Sequence, residues 1–455
     1  MNSRTEHDTL GQKEIPAEVY WGIHTQRAVE NFQLSAAHVE PMLIKAYAYV
    51  KKAAAHTNRT LGFLYDGISD AILSACDEII DGRLSDQFPL DAFQGGAGTS
   101  LNMNLNEVIA NRALEIMGHP KGEYEVISPL DHVNMHQSTN DTFPTALKTA
   151  AIFYTKDLEE ALTKLLQVLQ FKEREFGDIV KIGRTQMQDA VPMIMGAEFG
   201  GYAQAITEDR WRVSKTRERL RVVNLGGTAI GTGLGAPRDY IFSVVQQLNS
   251  LTGLNLTRAE NIVYATQNID GIVESSGILK TCAVNISKIC SDLRLMNLLG
   301  EIKLPAVQAG SSIMPGKVNP VITEAVTQGC FKVFANDSVI NQAAAAGTLE
   351  ICEFLPLIAH SFLETLRILI NSALMLAGHI EAATADKEKC LQYLDTNPVT
   401  MTALVPELGY EKVADLVKEY NQNNCKNVRQ FLIEKLGLEK VEQILSPQNL
   451  LKIGF

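Results

Sequence analysis

Apolar residues along most of this chain recur at helical spacing. Over 155–171, Leu158, Ala161, Leu162, Leu165, Leu166 and Leu169 fall at i, i+3, i+4 intervals, while Asp157, Glu159, Glu160 and Lys164 take the other face. That pattern predicts an amphipathic helix. Four further stretches, 188–223, 265–299, 321–347 and 356–382, are long and poor in proline. Several exceed the ordinary helix length of about 11–12 residues. Helices that long need partners along their whole length, which predicts a bundle completed by other subunits. Residues 1–40, punctuated by Gly11, Pro16 and Gly22, predict turns and short elements. Alternating strand patterns are scarce, and there is no internal repeat or low-complexity tract. The expected fold class is therefore mainly α, with a long central helix bundle.

Polar, glycine-containing segments interrupt the helical pattern at 94–104, 132–145, 183–192, 224–239 and 309–320. Loops held by a rigid scaffold are where chemistry sits. Shifts in pattern near 140 and near 390, the second marked by Asp395-Thr396-Asn397-Pro398, predict three domains. These are an N-terminal domain over 1–140, a central helical bundle over 141–390 and a small helical domain over 391–455.

With 455 residues, 46% of them hydrophobic, the chain can bury a sizeable core. A net charge of −11 argues against nucleic-acid binding, since no basic excess exists to neutralise phosphate. It leaves room for a locally positive pocket that takes a small anion. The seven cysteines are scattered and form no Cys-x-x-Cys, the pattern of reduced thiols in a cytoplasmic protein. The N-terminus lacks a signal-peptide apolar stretch, and no uncharged apolar run is long enough to cross a bilayer.

Residues 310–320, Gly-Ser-Ser-Ile-Met-Pro-Gly-Lys-Val-Asn-Pro, carry the sharpest chemical signal. Gly310, Pro315 and Gly316 break helix and allow a mobile loop. A serine is a poor base unless its alkoxide is stabilised, and the ammonium of Lys317 can do that. Gln94-Gly-Gly-Ala-Gly-Thr-Ser-Leu-Asn102 exposes backbone N–H groups and hydroxyls suited to an anion, or serves only as a helix cap. His136-Gln-Ser-Thr-Asn-Asp141 places Ser138, Thr139 and Asn140 at a helix start, where a carboxylate is welcome and where simple capping is the alternative. In Gly183-Arg-Thr-Gln-Met-Gln-Asp189, Thr185 and Gln186 are candidate contacts, and Arg184 pins the loop. A phosphate loop is ruled out, because five residues precede Gly316-Lys317 and Val318 replaces Ser/Thr. The nine histidines are dispersed and no His-Glu-x-x-His occurs, so no metal site is expected. Met296 and its apolar neighbours are expected in the core.

Together these segments resemble the aspartase/fumarase superfamily. The resemblance runs from Glu-Val-Tyr-Trp-Gly and Thr-Gln-Arg-Ala-Val-Glu-Asn-Phe within 18–32, through Gly-Gly-Ala-Gly-Thr-Ser-Leu-Asn-Met-Asn and Gln-Ser-Thr-Asn-Asp, to the 310–320 loop. Gly95–Ser100 and Gly183–Met193 are similar to its aspartate-specific ammonia-lyase branch. The resemblance implies a three-domain, almost all-helical subunit and a homotetramer with active sites shared among subunits. It implies reversible anti elimination of ammonia from L-aspartate to give fumarate. Ser311 would be the base that takes the C3 proton. Thr99, Ser138, Thr139 and Ser312 would hold the β-carboxylate as it becomes an aci-carboxylate. Thr185, Lys317 and Asn319 would hold the α-carboxylate, and Asn140 would face the amine. No cofactor is implied, and activation by a divalent cation is left open. The expected partner is a small amino-acid substrate, with neither nucleic acid nor membrane. Gln186 replaces the histidine of fumarase-like Gly-Arg-Thr-His motifs. Losing hydroxide needs a proton donor such as histidine; an ammonium group needs only orientation, which glutamine can supply.

The chain also departs from the family pattern. Asn297–Glu301 is shorter than the usual stretch before the catalytic loop. Leu349–Phe354 introduces Cys352 and Glu353, His136 stands where a small residue is common, and Val405-Pro-Glu407 replaces an Asn-Pro-aromatic pattern. Drift at helix interfaces is one explanation. The other is a pocket remodelled by His136 and Glu353 for another amine, as in an ergothionase-like enzyme releasing trimethylamine. Fumarate hydration, and a noncatalytic helical scaffold of the lens-protein kind, are the remaining alternatives.

Overall fold

Helices dominate the computed structural model, which describes residues 2–450. A hairpin of β1 (Ser3–Asp8) and β2 (Gly11–Pro16) opens the chain, followed by α1 (Ile23–Asn31), α2 (Pro41–Thr60), α3 (Asp66–Ile80) and α4 (Thr99–Ile116). The 37-residue α5 (Thr139–Glu175) comes next. A second hairpin, β3 (Val180–Thr185) and β4 (Gln188–Ile194), leads into α6 (Met195–Leu220), α7 (Arg238–Thr252) and α8 (Ile262–Gln267). Three more long helices, α9 (Asp270–Leu299), α10 (Val321–Ala345) and α11 (Leu355–Glu381), precede α12 (Lys387–Thr396) and a run of short helices. The predicted helix over 188–223 is a strand up to Ile194. Its residues pair antiparallel with β3 across a two-residue turn, a pairing that helical spacing does not register.

Cα packing divides the chain into two units. The first comprises residues up to Glu159, Arg212–Thr281 and Lys332–Leu369; the second comprises Glu160–Trp211, Cys282–Phe331 and everything from Ile370 on.

In the first unit, Ala46, Ala53 and Ala54 of α2 are fully buried. Their small side chains let α3 and α7 pack closely on α2. The start of α1 has no side-chain cap of its own. Instead, the buried carboxylate of Glu107 on α4 accepts from the backbone N–H groups of Gly22, His24 and Thr25 and from Thr25 Oγ1. Burial drives the Glu107 carboxyl up to about 7, against these hydrogen bonds. Helix α5 contains Pro144, which cannot donate to the carbonyl of Asn140. The side-chain amide of Asn224 donates there instead, at 3.0 Å, so the helix continues unbroken.

In the second unit, the β3–β4 hairpin packs on α12. The short helices beyond residue 397 enclose their own core of Met401, Leu404, Val428, Leu432 and Val441. Met296 is buried, as expected.

Helix α11 meets the length and composition of a bilayer span, but 56% of its most apolar stretch is buried. It also carries Glu364, paired with Lys332 at 3.0 Å. Both features fit an internal helix.

Candidate active site

The first unit assembles one set of predicted residues around two helix starts. Gly98, which precedes α4, has φ +93° and lies against Phe143; a Cβ there would meet the ring at 2.2 Å. Phe143 is one turn along α5 from Thr139, so the start of α4 adjoins the start of α5. Gly98→Ala is therefore expected to lose about 1–3 kcal/mol of stability through overpacking and left-handed strain, read as a lower denaturant midpoint.

At the start of α4, Thr99 Oγ1 donates to the Gly96 carbonyl at 2.7 Å. At the start of α5, Ser138 Oγ accepts from the Asn140 N–H at 3.2 Å, while Asp141 Oδ1 accepts from the Ser138 N–H at 3.0 Å. This reciprocal pair is a capping box. A hydroxyl that accepts from backbone keeps its own proton for an incoming carboxylate. Thr139 is buried beside it.

Behind these starts lies a buried polar platform. Asn134 Oδ1 accepts from Lys51 Nζ at 3.0 Å and from the amides of Asn102 and Asn106 at 3.1 Å each. Lys51 Nζ also donates to Gln137 at 3.0 Å. Burial lowers Lys51 to about 7, opposed by the field of Asp141. Burial raises Asp141 to about 6, opposed by three backbone N–H groups and by Lys51. Fully buried Asp141 ties the cap to the glycine-rich segment 224–236 by accepting from Gly226 and Thr228 N–H, both at 3.0 Å.

His136 and Glu353 also lie in the first unit. The His136 ring shares a 2.8 Å hydrogen bond with Asn58 Oδ1 and packs against Phe63 and Tyr240; burial lowers its pKa. Glu353 accepts from the N–H and hydroxyl of Thr348, at 3.2 and 2.9 Å, and closes the turn before α11. Both polar groups therefore have protein partners of their own.

The second unit presents the other set. Thr185 and Gln188 pair across the β3–β4 hairpin, leaving Gln186 and Met187 as its two-residue turn. Both have positive φ, +53° and +60°, as a type I′ turn requires. Such turns usually use Asn-Gly; non-glycine residues here cost about 1–3 kcal/mol each. Arg184 anchors the hairpin through Glu301 at 2.6 Å and Asp189 at 2.8 Å. Lys181 pairs with Glu198 at 2.5 Å and with Glu301 at 3.2 Å. Glu301 also ends the shortened 297–301 segment, where its N–H donates back to the Met296 carbonyl. A cavity of about 630 Å³ beside the hairpin is lined by Gln186, Met187, Lys288, Asp292 and Tyr393 among others.

Within the 310–320 loop, Ser311 Oγ accepts from the N–H groups of Ile313 and Met314, at 3.2 and 2.9 Å. Hydrogen bonds to the charged form favour it, so these donors stabilise an alkoxide. Pro315 and Gly316 (φ +82°) form a type II turn closed by Lys317 N–H to Met314 O at 3.2 Å. Gly310 N–H donates to Lys317 O, and the Asn319 amide donates to Gly310 O at 2.8 Å. Ser312 and Lys317 are exposed beside them.

Asp141, Thr228 and Glu301 were not among the residues the motifs singled out. The Ser138-x-x-Asp141 spacing was the available signal for the first; no local signal exists for the other two. Among the described residues, no three His, Cys, Asp or Glu side chains cluster in a way that could hold a metal ion.

Residues 11–335 match the lyase family, and the chain belongs to it, within the aspartase/fumarase superfamily. Aspartate ammonia-lyase of Bacillus subtilis is 44% identical over 459 residues, covering 99% of this chain and 96% of that protein. The fumarate lyase:delta crystallin of Brucella melitensis, solved bound to cobalt, superposes with a TM-score of 0.94 at 44% identity, covering 99% of this chain and all of that one. The class II fumarase of Schistosoma mansoni gives a TM-score of 0.91 at 34% identity and 98% coverage of both.

Proposed function

We propose that this protein is an aspartate ammonia-lyase, a carbon–nitrogen lyase that interconverts L-aspartate with fumarate and ammonia. The observation that carries this reading is Ser311 Oγ, held by two backbone N–H donors in a loop that also bears Lys317. A C–H bond beside a carboxylate is weakly acidic. Its proton can be taken only where donors already face the charge that builds on the carboxylate oxygens. Ser311 takes the C3 proton. Thr99, Ser138, Thr139 and Ser312 hold the resulting aci-carboxylate, while Thr185, Lys317 and Asn319 hold the α-carboxylate. The electron pair then forms the C2–C3 double bond and expels neutral ammonia, so the elimination balances without a redox or group-transfer cofactor. Gln186 and Asn140 orient the amine. Closure of the 310–320 loop would exclude water.

Aspartate is favoured over a bulkier amine because His136 and Glu353 already have protein partners. A homotetramer with shared sites is supported by large exposed apolar side chains on long helices. Trp211 is 60% exposed, Phe331 59% and Leu298 79%, apolar area that neighbouring subunits would cover. The three-domain division over 1–140, 141–390 and 391–455 is retained as part of this reading. Purified protein running at the mass of four chains should convert millimolar aspartate into a product with the ultraviolet absorbance of fumarate. A folded tetramer that gives no fumarate would sink the proposal.

A further inference from the structure

Asn140 has two polar ends, and the structure commits one of them. Its Nδ2 donates to the carbonyl of Ala229 at 2.7 Å. A carbonyl only accepts, so the NH2 must face it whichever way the amide is named. Oδ1 is thereby turned away from the 224–236 segment, and it has no hydrogen-bond partner among the described residues. The backbone of the same residue is fixed too. Its carbonyl, released by Pro144, accepts from Asn224, and its N–H donates to Ser138 Oγ.

The position of Ala229 is itself determined. Thr228 sits at φ +56°, a genuine outlier for a β-branched residue. Two bonds hold it there: its N–H to Asp141 Oδ2 at 3.0 Å and its Oγ1 to the Leu234 carbonyl at 2.9 Å. The Gly226 N–H donates to the same carboxylate oxygen. Asp141 thus fixes both the helix start that carries Asn140 and the loop that orients its amide. Strain held this firmly points to a positioning role.

We propose that Asp141 and Thr228 are positioning residues that hold Asn140 with Oδ1 outward, as the acceptor for the substrate ammonium. An ammonium group has only donors and needs an acceptor; a reversed amide would present N–H groups to it. This inference rests on the aspartate reading.

The test uses the reverse reaction, in which fumarate and ammonia are varied separately, with succinate as an amine-free inhibitor. In Asp141→Asn, KM for ammonia should rise about tenfold, as for loss of one hydrogen bond to a charged group. KM for fumarate and inhibition by succinate should stay within about twofold of wild type, the scatter of a neutral change. Thr228→Gly, which frees φ and cuts the tie to Leu234 while keeping the fold, should show the same selective rise, and it carries the test alone if the Asp141 variant does not fold. An unchanged ammonia KM in a folded variant, or equal shifts for fumarate and ammonia, overturns the inference. Wild-type protein that makes no aspartate would instead overturn the reading beneath it and the inference with it.

Discussion

Ser311→Ala is expected to lower kcat for aspartate by about 10²–10⁴-fold, the range for loss of a positioned general base. The oligomeric mass and the denaturant midpoint should stay at wild-type values. The reason for the second expectation is local. Among the described residues, Ser311 Oγ accepts only the N–H groups of Ile313 and Met314, in a loop where Ile313 is 83% exposed. Without the hydroxyl, those donors turn to water at little cost. Steady-state kinetics with analytical ultracentrifugation checks both parts. Near-normal turnover in the variant would remove Ser311 from the role of base.

Glu301→Gln is expected to destabilise the protein by about 3 kcal/mol, the lower end for breaking one partner of a buried ionic network. Glu301 is fully buried between Arg184 and Lys181. A neutral amide leaves buried Lys181 and half-buried Arg184 with one charged acceptor fewer. The loss stays at the low end because Lys181 keeps Glu198 and Arg184 keeps Asp189. The hairpin that carries Thr185 and Gln186 should loosen as well, raising KM for aspartate. Urea unfolding read beside KM measures both effects. Lys303→Ala is the control: its bond to Asp386 lies at the surface, where ion pairs contribute little, so its midpoint should not move. Equal midpoints for Glu301→Gln and wild type would show that the network is not stabilising.

The sequence made the helices legible because each needs only local periodicity and an uninterrupted run. The stretches 321–347 and 356–382 correspond to Val321–Ala345 and Leu355–Glu381. It missed the strand Gln188–Ile194, whose existence depends on pairing with β3. The motif residues were visible for a similar reason. Gly98, the Pro315-Gly316 turn and Ser138-Thr139 are defined by residue type at fixed spacing. His136 and Glu353 were weighed as pocket residues on type alone, and their partners, Asn58 and Thr348, could be seen only in space.

What the sequence determined by itself, then, is the helical class, the loops that interrupt it and the residue types the elimination needs. Backbone propensity, hydrophobic period and turn chemistry all act within a few residues of one another. Only the tertiary structure decided how those residues are held. Asp141 reaches the 224–236 segment, Asn224 replaces the bond that Pro144 cannot make, and Glu301 anchors the hairpin through Arg184. Each of these links spans some 80 to 120 positions of chain. A buried polar group must find a partner wherever the fold provides one, and local sequence carries no record of where that is.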